Sequence, residues 1–147
     1  MGGVNYIQKI NYEDVQYFIS DTSFVNKNSY LIINTLSHYK QDCLIKNTIN
    51  YNEEETIINN LLTKNRNIYI IVYGENSNDD SVAEKYLQLT KLGFYNTYVY
   101  LGGLFEWLLL QDIYGADLFP TTKKNTNALI YKSNKLFNNN NLLMIDE

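Results

Sequence analysis

The sequence predicts an α/β domain in which a central parallel sheet is flanked by helices. Two observations carry this. The runs Ser29 to Asn34 (Ser-Tyr-Leu-Ile-Ile-Asn) and Asn67 to Tyr73 (Asn-Ile-Tyr-Ile-Ile-Val-Tyr) are of strand length and largely apolar on both faces, as strands covered on both sides must be. Stretches with helical spacing alternate with them, and alternation of strand and helix is the signature of a parallel sheet.

Taken in order, Asn11 to Ile19 places Val15, Phe18 and Ile19 at helical spacing. Asn11 is suited to the N-cap, and Glu13 and Asp14 fall in the first turn, where the helix dipole favours acids. The strand Ser29 to Asn34 follows. Asn52 to Leu62 has Glu53, Glu54 and Glu55 leading into Ile57, Ile58, Leu61 and Leu62, an acidic first turn before an apolar stripe. After the strand ending at Tyr73, Ser81 to Leu92 sets Val82, Tyr86, Leu89 and Leu92 on one side, with Gly93 as the C-terminal stop. Thr97 to Leu101 is a further strand. Gly102-Gly103 breaks it, and Leu104 to Gln111 reads as a closing helix whose Phe105, Trp107 and Leu108 to Leu110 run are expected in the core. Tyr114-Gly115 and Leu118-Phe119-Pro120 read as turns. In sheets of this kind the site lies at the carboxyl ends of the strands, which directs attention to the loop Gly74 to Asp80.

The chain has 147 residues, enough for one domain with a substantial core. Residues 1–120 are expected to form that domain, and 121–147 a polar, Asn- and Lys-rich extension ending in the apolar Leu142-Leu143-Met144-Ile145. The extension is expected to pack over the domain or fray, or to dock a partner protein, since an apolar patch on a polar leash is costly to leave in water. Lys123-Lys124 at its start is read as solvated. No run approaches the roughly 20 apolar residues that span a bilayer, so no membrane span is expected. The opening residues do not read as a secretory signal, and a lone Cys43 cannot form an internal disulfide, so an intracellular, reducing location is expected. Met1-Gly2-Gly3 lacks the Ser or Thr at position six that N-myristoylation favours; Tyr6 stands there. With a net charge of -4 and only 12 scattered basic residues, nucleic acid is not an expected partner. The bias toward Asn, Ile, Lys and Tyr is that of an A/T-rich genome, as in some protists and their large DNA viruses.

Val99-Tyr100-Leu101-Gly102-Gly103-Leu104-Phe105-Glu106-Trp107, downstream of a strand ending at Tyr73-Gly74, resembles the rhodanese-like family. In that family a strand ends in a catalytic cysteine followed by a tight loop and a helix, and a later strand ends in Gly-Gly before a Trp-containing helix. Leu31-Ile32-Ile33-Asn34-Thr35-Leu36 is similar to its early strand, which usually ends in Asp-x-Arg. Cys43 to Asn50 is similar to its His-Ile-x-Gly-Ala-x-Asn segment. The resemblance covers residues 7 to 120 and implies a three-layer sandwich and, where the cysteine is present, sulfur transfer.

That chemistry needs a thiolate to carry a sulfane sulfur, cradled by backbone N–H groups at a helix N-terminus. The resemblance places Gly74 at the nucleophile's position, in a loop reading Gly74-Glu75-Asn76-Ser77-Asn78-Asp79-Asp80. Glycine offers no nucleophile, the arginine of related phosphatases is missing, and Glu75, Asp79 and Asp80 oppose an anion. The leading expectation is therefore a catalytically inactive module, not an enzyme, that binds protein or serves as a structural component, with no cofactor. Two alternatives are a sulfurtransferase or related hydrolase using Cys43 or Ser77, and a virion-associated accessory protein. Ser77 has no histidine near it in sequence to act as base. Cys43 is expected to be a buried small hydrophobe and His38 a solvated surface residue. Glu75, Asp79 and Asp80 could hold a cation, but Asp79 or Asp80 capping the next helix accounts for them without a metal.

Overall fold

The computed structural model describes residues 6–20 and 29–137. Four parallel strands form one sheet in the order β1-β4-β3-β2: β1 (Lys9–Ile10), β2 (Tyr30–Asn34), β3 (Tyr69–Tyr73) and β4 (Thr97–Tyr100). The helices are α1 (Tyr12–Ile19), α2 (Glu54–Lys64), α3 (Asp80–Lys91) and α4 (Gly103–Tyr114). Short 3₁₀ turns cover His38–Lys40 and Ala128–Tyr131.

The layering follows from handedness. From β2 through β3 to β4 the chain steps across the sheet in one direction, so right-handed crossovers put α2 and α3 on the same face. From β1 to β2 it steps the opposite way, and the same handedness puts α1 on the other face. Because β3 is covered on both sides, it is apolar on both: Ile70 and Val72 join Ile58, Val82, Tyr86 and Leu89 of α2 and α3. Ile71 and Tyr73 join Val15, Ile19, Leu104, Trp107 and Leu108 of α1 and α4.

Helix α1 starts and α3 stops where expected, whereas α2 runs from Glu54 to Lys64, two residues beyond the expected 52–62. Helix α4 continues through Tyr114, where a turn was expected, with Leu109, expected in the core, on its open face. The Asn11 side chain accepts from the backbone N–H of Glu13 and Asp14, while the Asp14 carboxylate accepts from the Asn11 N–H, a complete capping box. Gly93, just past α3, has φ +100°, the left-handed conformation in which glycine ends helices. Strand β1 was not legible: two residues carry no periodicity, and it exists because Val99 N–H donates to Gln8 O and Lys9 and Ile10 align with Val99 and Tyr100.

Residues 121–131, expected as the start of an extension, are packed onto the domain. Thr121 bridges Ile45 in antiparallel fashion, Lys46 N–H donates to Pro120 O at 3.1 Å, and Thr122 N–H donates to Leu44 O at 2.8 Å. Tyr131 is buried at the end of the segment. Backbone pairing holds it, so polar side chains along 121–127 gave no sign of it. The apolar stretch 142–145 lies outside the described residues. Among the described residues, no helix is long and apolar enough to cross a membrane.

Trp107 closes this face of the core. It is fully buried, edge-on to Tyr100 and Phe119, and its indole N–H donates to Pro120 O at 3.0 Å. Trp107→Ala is expected to lower unfolding free energy in urea by about 3–5 kcal/mol, as for large aromatic-to-alanine changes in cores. A loss below about 1 kcal/mol would mean that the indole is not a keystone of the packing.

Candidate functional site

Strands β2 and β3 end together, Asn34 opposite Tyr73, and Thr35 N–H continues the ladder to Tyr73 O at 3.0 Å. The chain then leaves the sheet at Gly74 and reaches α3 through residues 75–79. Such a strand–loop–helix junction offers backbone N–H groups to an anion.

Here those donors meet a carboxylate of the loop itself. Asp79 Oδ2 accepts from Glu75 N–H at 3.0 Å, and Asp79 Oδ1 accepts from Ser81 N–H at 3.1 Å. The Ser81 hydroxyl lies 2.6 Å from Asp79 Oδ1 and 2.8 Å from Thr35 Oγ1, tying the helix start to the end of β2. Asp79 is thus the N-cap of α3. A Cβ at Gly74 would collide with Asp79 Oδ2 and lie 2.6 Å from Val82 Cγ2 and 2.9 Å from Thr35 Oγ1, so a side chain there requires these side chains, Asp79 first, to move.

The Gly102-Gly103 turn clamps the loop from the other side. Leu104 N–H donates to Gly74 O at 2.9 Å and Phe105 N–H to Glu75 O at 2.8 Å. For the first turn of α4 to come this close, Gly103 takes φ +69°, and a Cβ there would stand 2.7 Å from Gly74 O and 2.9 Å from Asn76 N. Gly103 is a requirement of the loop's seat.

Two contacts close the outer side. Lys40 Nζ holds the Glu75 carboxylate at 3.0 and 3.1 Å and lies 6.0 Å from the Tyr131 ring centroid. Asn76 Nδ2 donates to Tyr131 O at 2.8 Å. Beyond them lies an open cavity of about 330 Å³ between the loop and the chain at 132–134, lined by Glu75, Asp79 and Asp80 among others. Lys40 and Tyr131 stand 35 and 55 positions from their partners, so no sequence spacing could have named them. Asn34 performs the local task of an aspartate at the end of β2: its Oδ1 accepts from Leu36 N–H at 3.0 Å and from Gln41 Nε2 at 2.8 Å.

The other candidates fall elsewhere. Cys43 is 2% exposed, its thiol donates to Lys123 O at 3.2 Å, and burial pushes it above its ordinary range toward the protonated form. Ser77, Asn78 and Asp80 are exposed. His38 is exposed on its 3₁₀ turn, edge-on to Tyr39. Glu75 is committed to Lys40 and Asp79 to its cap. Among the described residues, no three His, Cys, Asp or Glu side chains are grouped to hold a metal ion.

A parallel sheet whose central strand runs through a tight loop into a capped helix, with a second strand delivering Gly-Gly against that loop, defines a particular α/β class. The family model for the rhodanese-like domain matches residues 11–110, and the chain belongs to that family. Among solved structures, the crystal structure of the Alr3790 protein from Anabaena sp. has a TM-score of 0.53 at 16% identity, covering 94% of each chain. At that identity it shows the shared fold. No curated protein matches the chain.

Gly103→Ala is expected to cost about 1–3 kcal/mol in denaturant unfolding, because the methyl group meets backbone atoms and the positive φ disfavours alanine. An unchanged midpoint would mean that the loop can retreat from α4. A second expectation concerns alkali. Burial raises Tyr73 above its ordinary value, and burial with the neighbouring Glu106 carboxylate raises Tyr100; Cys43 is raised likewise. Groups raised in the folded state favour folding while the unfolded chain also keeps its protons, and that stability is lost as pH climbs past their unfolded values. The urea midpoint should hold near neutrality and fall between about pH 9 and 11, less steeply in Tyr100→Phe. A flat profile through pH 11 in the unsubstituted protein would contradict this.

Proposed function

We propose that this rhodanese-like domain is catalytically inactive and acts as a protein-binding or structural module. Gly74 stands at the nucleophile's position, and the single observation that supports the reading best is the Asp79 carboxylate folded into the space a side chain at Gly74 would need. Sulfur transfer begins with a thiolate attacking a sulfane sulfur and continues with that sulfur handed from the persulfide to an acceptor. This loop has no thiol to begin the cycle. The Glu75 and Ser81 N–H groups and the Ser81 hydroxyl, donors a persulfide or oxyanion could use, are taken by Asp79. Cys43 supports the sulfurtransferase reading poorly, since it is buried and held as a thiol by its surroundings.

Purified protein is expected to transfer no sulfur from thiosulfate to cyanide above the protein-free rate, and Gly74→Cys is expected to gain none, because Asp79 excludes the new side chain. Sulfur transfer by the unsubstituted protein at a rate that survives Cys43→Ala would overturn the reading. Turnover by Gly74→Cys comparable to that of an active sulfurtransferase assayed alongside would show instead that Asp79 gives way to a side chain at 74, and would remove the steric support for the reading.

A further inference from the structure

Helix α4 carries apolar residues all the way round, a pattern of helices buried on every side, yet its outer face is open: Leu109 is 39% and Ile113 69% exposed. Alongside it the chain from 120 to 129 forms the second wall of a groove of about 830 Å³. The apolar lining comes from Leu108, Leu109, Ala116, Pro120, Ala128 and Leu129, and Leu129 is itself 61% exposed. Lys123 and Lys124 also line the groove, facing one carboxylate, Asp112. Among the described residues neither lysine is ion-paired.

The sequence supplies a segment with the complementary pattern. After Phe137, the last described residue, come Asn138-Asn139-Asn140-Asn141, then Leu142-Leu143-Met144-Ile145, then Asp146-Glu147. Four aliphatic residues followed directly by two carboxylates match the groove's strip of leucine, proline and alanine and its two lysines, the other lining side chains being amides, hydroxyls and Asp112.

We propose that residues 142–147 of the same chain occupy the groove between α4 and residues 120–129, the aliphatic side chains against Leu108, Leu109 and Leu129 and the acids beside Lys123 and Lys124. The wall residue Leu129 lies only eight residues before Phe137, and the link from Phe137 to Leu142 extends to about 18 Å. A tether this short holds its end at an effective concentration on the order of millimolar, which favours the chain's own segment over that of a second copy. Burial of the aliphatic run removes exposed apolar area from both surfaces. The proposal concerns a different face from the loop at Gly74 and stands or falls independently of whether the domain is catalytic.

The test uses the full-length chain and its Leu142→Glu/Leu143→Glu variant, with amide shifts recorded by NMR and mass by light scattering. The expected result is a monomer in both cases, with shift differences clustered at Leu108 to Ala116 and Lys123 to Leu129. A synthetic peptide of residues 138–147 should bind the variant and return those shifts toward the unsubstituted values, while the unsubstituted chain should not bind it. Adding Lys123→Glu/Lys124→Glu to the variant should weaken the peptide by about tenfold, the combined worth of two rim charge pairs. Shift differences confined to residues near 137–147, or a peptide that does not bind the variant, would overturn the proposal. A dimer that dissociates on Leu142→Glu/Leu143→Glu would overturn it in favour of exchange between two copies.

Discussion

The backbone of Gly103 lies against the backbone of residues 74–76, and the carboxyl end of the sheet is organised around that approach. It sets the height at which α4 starts, and so where Trp107 enters the core and meets Pro120 O. It also satisfies the carbonyls of Gly74 and Glu75, which would otherwise be lost ladder acceptors at a buried sheet end. With those carbonyls held from one side, the Glu75 N–H turns toward α3, where Asp79 Oδ2 receives it. One close approach thus determines both the packing of the last helix and the polarity of the loop.

The loop retains the geometry of an anion cradle while supplying its own anion. A carboxylate at the start of α3 is favoured by the cap hydrogen bonds and by the helix dipole, the same forces that draw an external oxyanion to such a site. Glu75 would leave a second negative charge at the rim, and Lys40 neutralises it from the 38–40 turn. Asp80, exposed in the first turn of α3, adds a third carboxylate at the end the helix dipole favours. This is how an acidic loop can sit at a helix N-terminus over a covered sheet without strong repulsion.

Much of this was legible in the sequence, for reasons that can be named. The apolar runs of β2 and β3 announce themselves because both faces are buried, and α1 and α3 because caps and stripes agree. The Gly-Gly before the Trp helix was informative because only glycine tolerates the contact that Gly103 makes. Asp79 as the cap of α3 was among the expectations. What could not be read was contact across the chain: β1, which is only a two-residue pairing with β4, and the pairing of residues 120–122 with the 44–46 segment. Lys40 and Tyr131 belong to the same category. Their roles arise from position after folding, and polar residue types do not reveal them.

The pairing of 120–122 with 44–46, together with β1 on β4, has a consequence for how the chain is made. The first strand cannot be added to the sheet until Val99 and Tyr100 exist, and the wall over Ile45 and Tyr73 is incomplete until Thr122 has been synthesised. Strand β2 meets residues 48–49 first, Ile32 bridging Thr48 and accepting from Ile49 N–H, and gains its full-length partner β3 some forty residues on. During vectorial synthesis the ribosome therefore carries a half-covered sheet whose apolar strands wait for late partners, the circumstance in which nascent chains rely on chaperones and are exposed to aggregation. The native order of the sheet makes this a domain that closes late, with the segment at 120–122 acting as the latch.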